Sequence, residues 1–335
     1  MSVAIGLLGD VMLGRNVAAA LRTRSPEELW DPALRELTGS LDLVICNLEC
    51  CLSSRGRPTI RLPGKPFFFR GPPGAVRALS AVGIGAATLA NNHALDYEEI
   101  ALRDTLAILN ISGIACCGAG PDLRAARAGV VVNSGSSRIG LISFTDHPVQ
   151  YAAAGGTWGV AHANLWSQTP GWLLSAVSGL ATRCDHVIVC PHWGPNMTTE
   201  PAGWQRRAAR ELQAAGAGLV AGHSAHVFHG VGWEGGPVLF DLGDALDDYR
   251  VDPVLRNDLG LLAIWRPGIV LELVGLRLRY CHTGLAHSAD ADWIATRLTS
   301  ACAELDTHVQ RVGEQRFIVT QRPGRVTTKR TPAAA

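Results

Sequence analysis

Five apolar, strand-forming runs in this chain each end in a short polar fragment. Val3 to Leu8 runs into Gly9-Asp10, Leu43 to Cys46 into Asn47-Leu48-Glu49, and Ala86 to Ala90 into Asn91-Asn92-His93. His186 to Cys190 leads to His192-Trp193-Gly194, and Ala217 to Ala221 to Gly222-His223-Ser224-Ala225-His226. In layered α/β folds the carboxyl ends of strands open into one crevice, so residues distant in sequence meet there. Carboxylates, an amide and imidazoles delivered in this way make the ligand set of a metal centre. With no thiolate among them, they suit a divalent cation of hard to intermediate character. A lone histidine is more simply a core residue, but a group of such side chains at strand ends argues for ligands.

The rest of the composition narrows the field. A length of 335 residues with 47% hydrophobic and 18% charged side chains is ample for one large enzyme domain. The net charge of +1 provides no global field for nucleic acid or an anionic membrane, so neither is expected as a partner. Nine cysteines, an odd number with adjacent pairs at Cys50-Cys51 and Cys116-Cys117, read as free buried thiols in a reducing compartment. The first apolar run passes directly into Asp10 without a leader or anchor pattern, which predicts a cytoplasmic protein.

Strands and helices alternate through the first two thirds. Helices are expected at 16–22, 72–82, 98–109, 172–183 and 205–215, a strand near 114–117, and a hairpin pair at 129–132 and 138–144. Residues 52–73 form a Pro- and Gly-rich loop carrying Arg55, Arg57, Arg61, Lys65 and Arg70 without an acidic residue. It reads equally as a grip for a carboxylate or phosphate and as a solvated excursion. From Val227 short strands follow, at 238–240, 261–265 and 269–279, with no long helix between them. One catalytic domain over 1–320 and a disordered basic tail over 321–335 are expected.

Six motifs in order define a family pattern. Gly9-Asp10-Val11-Met12-Leu13-Gly14-Arg15, Asn47-Leu48-Glu49, Leu89 to Tyr97, His192-Trp193-Gly194, Gly222-His223-x-x-His226 and Leu242 to Tyr249 together resemble the CapA-like proteins of the calcineurin-like metallophosphoesterase superfamily. The resemblance spans roughly residues 3–265. It implies an α/β fold of two packed mixed β-sheets flanked by helices. It also implies that Asp10, Glu49, Asn92, His192, His223 and His226 face the metal position. Two departures matter. The superfamily usually has Asp-x-His at the first strand where this chain has Asp10-Val11-Met12, so one imidazole is missing and a single-metal or weakly two-metal site is expected. Family members concerned with capsule polymers commonly carry a membrane anchor, and no such segment is read here.

The remaining ionisable residues point to acid/base work. His93 and Asp96 lie three apart, where a carboxylate can orient an imidazole and raise its basicity. A second pairing is expected between a histidine of 222–229, with His226 the candidate, and Asp244 or Asp247. Two such pairs beside one cation suit removal of a proton from one face and its return on the other. Within the family, the compact chain looks like the metal-dependent peptide epimerases of lasso-peptide biosynthesis, which invert the Cα of a precursor's C-terminal tryptophan. That likeness implies a precursor peptide as substrate and a divalent cation, Ca²⁺ ahead of Mn²⁺ or Zn²⁺, with no organic cofactor. The alternatives are a phosphoesterase or an amide hydrolase acting on glutamyl polymers, and a non-catalytic peptide-binding module. Of the nine tryptophans, Trp193 is the one expected to touch substrate, because it adjoins His192.

Overall fold

A computed structural model describes residues 3–322. Its first sheet runs in the order Thr307–Arg311, Arg316–Gln321, Val270–Arg279, Leu259–Arg266, Ile5–Val11, Leu43–Leu48, Ile84–Thr88, Ala115–Cys117. The short strand Asp244–Leu246 pairs in parallel with the end of Ile5–Val11. The second sheet runs Val231–Trp233, Pro237–Leu239, Leu219–Ala221, His186–His192, Ser137–Thr145, Val130–Ser134. Both sheets are mixed: in the first, the half from Ile5–Val11 to the edge strand Ala115–Cys117 pairs in parallel and the other half is antiparallel, while in the second a parallel centre is closed by an antiparallel strand at each edge.

The central strands are apolar along their whole length because both of their faces are covered. Ile5, Leu7, Leu43 and Ile45 pack against Ile139, Leu141, Ile188 and Leu219 of the other sheet. Their neighbours Leu8, Val44 and Cys46 turn to the opposite side, where Leu102 and Leu109 of helix Glu98–Ile111 cover them. Val187 and Val189 meet Leu173 and Val177 of helix Gly171–Ala181 and Leu212 of helix Gly203–Ala214. The result is four layers, helix–sheet–sheet–helix, the two-sheet α/β architecture expected of a calcineurin-like fold.

Most expected elements form within a few residues of their predicted bounds. The hairpin appears as Val130–Ser134 against Ser137–Thr145, and the 72–82 segment splits into a 3₁₀ turn Pro73–Ala75 and a helix Val76–Ala81. One large element went unread: Ser288–Ala303, a helix that places Ile294, Leu298 and Cys302 in the core between the sheets. Gln321 closes a strand, and the expected tail beyond Arg322 lies outside the described residues. No described helix is long and apolar enough to cross a membrane. All nine cysteines are free, seven of them buried.

Candidate metal centre

Strand register assembles the site. Asp10 stands opposite Asn47 on one side and Asp244 on the other, and His192 bridges in parallel to His223 across the second sheet. Two glycines permit the close approach. A Cβ on Gly9 would lie 1.7 Å from the Gly243 carbonyl oxygen, and one on Gly222 would lie 2.1 Å from that of Phe240. Neither position can carry a side chain without separating the strands that bring the ligands together.

At the crevice, Asp10, Glu49, His226 and Asp244 each offer a donor atom, all within 4.8 Å of one another. His223 Nδ1 lies 3.3 Å from Asp10 Oδ1, and His192 Nε2 lies 3.8 Å from Glu49 Oε1. Asn47 Nδ2 donates to Asp10 Oδ1 at 2.7 Å, while its own Oδ1 accepts from Asn91 Nδ2. Six buried atoms here have no hydrogen-bond partner among the described residues: Asp10 Oδ2, Glu49 Oε1, Asn92 Oδ1, His192 Nε2, His223 Nδ1 and Asp244 Oδ2. Buried orphans of this kind cost about 1–3 kcal/mol each, more when charged, so the group requires a shared partner. Burial drives the Glu49 carboxyl up to about 8, with the neighbouring Asp10 adding to the effect, and burial also raises Asp244 well above the carboxylate range. A divalent cation would relieve both the orphaned atoms and the crowded negative charge, and this donor set fits one.

Of the predicted ligands, Asp10, Glu49 and His226 lie in this cluster, His192 and His223 lie within 4 Å of its carboxylates, and Asn92 contributes a buried Oδ1 without a partner among the described residues. Asp244, expected only to orient a histidine, also falls within ligand range. Its Oδ1 lies 2.8 Å from His226 Nδ1, which settles the expected second pair on Asp244 rather than Asp247; Asp247 instead accepts from the Tyr249 backbone. Met12 is fully buried in place of the missing histidine, with its sulfur accepting from the Gly14 amide.

The other pair is closed as well. His93 Nδ1 lies 2.6 Å from Asp96 Oδ2, and the ring stacks on Phe69 at 3.9 Å. Asp96 does not cap the helix that begins at Glu98. It is fully buried and accepts from the Phe69 amide and the Tyr151 hydroxyl, with Lys65 Nζ against its Oδ1. Burial pushes the His93 imidazole down to about 4 against the pull of Asp96.

Several other expectations need correction. Trp193 is buried, donates to the Phe240 carbonyl and packs on Phe144 and Phe240, so it is core. The basic loop is largely spent on the protein itself: Arg55 pairs with Asp104, Arg61 with Glu98 and Glu99, and Arg70 lies over Tyr97. From that loop Lys65 does reach the site, against Asp96; the other cations there are Arg15 and Arg250, which line a cavity of about 360 Å³ with Phe67, Phe69, Tyr249 and both paired histidines. A neighbouring cavity of about 330 Å³ holds Lys65, Asn92 and His147. His147, paired with Asp146 at 2.5 Å, follows the end of Ser137–Thr145, so the same strand-end rule applied to that strand would have found it.

A buried carboxylate–imidazole cluster at the strand ends, with paired histidines facing a pocket, defines the class as a two-sheet α/β protein with a candidate metal site. The chain belongs to the bacterial capsule synthesis protein PGA_cap family, whose model matches residues 4–249. It is 29% identical to a probable polyglutamine synthesis accessory protein of Mycobacterium tuberculosis, over 87% of this chain and 89% of that one. It is also 26% identical to the PGA biosynthesis protein CapA of Bacillus subtilis, over 73% of this chain and 63% of that one. Among solved structures, a putative 5′-nucleotidase from Staphylococcus aureus is similar at a TM-score of 0.44 and 13% identity, over 90% of this chain and 58% of that one. A hypothetical protein from Thermus thermophilus reaches 0.45 and 15%, over 84% of this chain and 96% of that one. Likenesses at this level say nothing about activity. The CapA-like resemblance thus holds, and none of these relatives' descriptions speaks of epimerisation.

Proposed function

We propose that this chain is a metal-dependent acid/base enzyme acting beside a carboxyl group of a peptide, and that it inverts the Cα of a C-terminal residue. The observation that carries this reading is the convergence of two imidazole–carboxylate pairs, His93–Asp96 and His226–Asp244, on one cavity beside the carboxylate cluster. Each carboxylate occupies Nδ1 of its histidine, which leaves Nε2 as the free nitrogen of each ring. One Nε2 removes the Cα proton and the other returns a proton to the opposite face. Asp10, Glu49, Asn92, His192 and His223, with Asp244, would hold the cation, and His226 would stand beside it with Nε2 left for the proton. When bound, it would supply Lewis-acid polarisation of the substrate carboxyl group. The imidazoles in this set suit Mn²⁺ or Zn²⁺, and its carboxylate and amide oxygens suit Ca²⁺. The aromatic walls of the cavity suit an apolar terminal side chain.

A second reading, hydrolysis of an amide or phosphoester link, is favoured by the capsule and polyglutamine descriptions of the relatives. In that case His93 would protonate the leaving group. Incubation with peptide substrates in D₂O separates the two. Epimerisation leaves one solvent deuterium at the inverted carbon with the chain intact, whereas hydrolysis yields two fragments. Product without deuterium, or turnover of phosphoesters alone, would overturn the first reading.

A further inference from the structure

We infer that Arg15 is a carboxylate-reading residue, part of a binding subsite for a ligand that presents a free carboxylate beside an apolar group. The inference rests on the proposed reaction for its ligand class, but its geometry is independent. The Arg15 guanidinium carbon lies 5.6 Å from the Phe67 ring centre, 5.7 Å from Phe69 and 5.9 Å from Tyr249. Its only ion pair among the described residues runs from Nε to Asp248 Oδ2 at 3.3 Å, which leaves the terminal nitrogens open to solvent or a ligand. The side chain is 35% exposed, and it lines the same cavity as His93 and His226.

The backbone shows that this placement is held at a cost. Arg15 adopts φ +49, a left-handed conformation that a non-glycine residue takes only under constraint. The constraint comes from Asp248, which accepts from both the Asn16 amide and the Asn16 side chain, at 3.0 and 2.7 Å. A cation fixed among three rings, with its fork turned to a cavity that also holds Arg250, meets a planar anion bidentately. The rings would meanwhile cover the apolar group next to that anion. A carboxylate held by Arg15 would share one cavity with both histidines.

The test is titration calorimetry of the full chain supplied with Ca²⁺ or Mn²⁺, using N-acetyl-alanyl-phenylalanine, its C-terminal amide, and phenyl phosphate as probes. The acid should bind at least about tenfold more tightly than the amide, the scale of one charge-assisted contact. R15Q should abolish that ratio, while F67A should weaken acid and amide alike and preserve it. R15K, which keeps the charge without the fork, should fall between wild type and R15Q, and it serves if R15Q does not fold. Equal binding of acid and amide by the wild type, or no binding of either, overturns the inference. So does discrimination that survives in R15Q and R15K, or an Arg15-dependent preference for phenyl phosphate over the acid. A chain that shows the acid-over-amide ratio but no deuterium exchange would sink epimerisation and leave Arg15 in its role.

Discussion

The two imidazole–carboxylate pairs are one chemical unit placed in opposite surroundings. In each, Nδ1 meets a buried carboxylate, at 2.6 Å for His93 and 2.8 Å for His226. Burial pushes His93 down to about 4, and Lys65, seated on the far oxygen of Asp96, adds to the same trend. Burial acts on His226 in the same sense, but Asp244, Glu49 and Asp10 outweigh it and hold that imidazole well above its usual range. A partner carboxylate alone therefore does not set the proton affinity of its histidine. Burial wins over Asp96 at His93, with Lys65 adding a third charge of the same effect, whereas at His226 Asp244 is joined by the crowded anions Glu49 and Asp10 and together they win over burial.

The sharpest way to break the comparison is to remove each histidine. His226→Ala should lose bound cation and activity together, because His226 fixes Asp244 in the donor cluster, and a drop of about three to four orders of magnitude is expected. His93→Ala should lose a comparable share of the rate yet retain full metal content by elemental analysis. Equal loss of metal in both variants would show that the pairs are not distinct. Next in size, Asp96→Asn should lower the rate by about two to three orders of magnitude without loss of metal. A stable, metal-loaded and fully active Asp96→Asn variant would remove that pair from the chemistry.

A smaller effect tests the third charge itself. Lys65→Met removes a cation that disfavours protonated His93, so the imidazole should titrate higher. As His93 must be neutral to accept a proton, the acid limb of the pH–rate profile should move upward, by about one unit or less. A limb that stays in place, or moves down, would assign the low value to burial alone.

The smallest expected effect isolates burial without a carboxylate. His229 is buried against the Thr198 carbonyl, and burial holds it at about 4. Its folded value lies below the unfolded value of about 6.5. The unfolded chain therefore binds more protons in that window, and stability falls as pH drops from about 6.5 toward 4. Denaturant melts at pH 7 and pH 5 should differ by about 2 kcal/mol more in the wild type than in His229→Gln.

What the sequence exposed was whatever follows from strand periodicity. Runs such as Val3–Leu8 are apolar on both faces because layers cover both, and the polar residue that ends each run must then lie in the crevice. That logic marked the strand-end fragments, and the family resemblance singled out Asp10, Glu49, Asn92, His192, His223 and His226 within them as candidates. It did not reach Arg15, Phe67 or Tyr249, because cavity walls come from loops whose path depends on tertiary contacts such as the Phe69 amide with Asp96. Asp244 was seen as an orienting group only, since nothing in a single strand's pattern reports that its register aligns it with Asp10. Helix Ser288–Ala303 escaped for a related reason: it packs at the edge of both sheets with few bulky side chains, so its apolar period is faint.

The alignment of Asp10 with Asn47 and Asp244 has a consequence for how the protein is made. The donors are strung from residue 10 to residue 244, and the strand that carries Asp244 pairs directly with the first one. A nascent chain that has not yet released Asp244 from the ribosome can fold much of its sheet scaffold but holds an incomplete ligand cage. The proposed cation would therefore load late in biogenesis, and a chain truncated before residue 244 would be metal-poor however well its strands had formed.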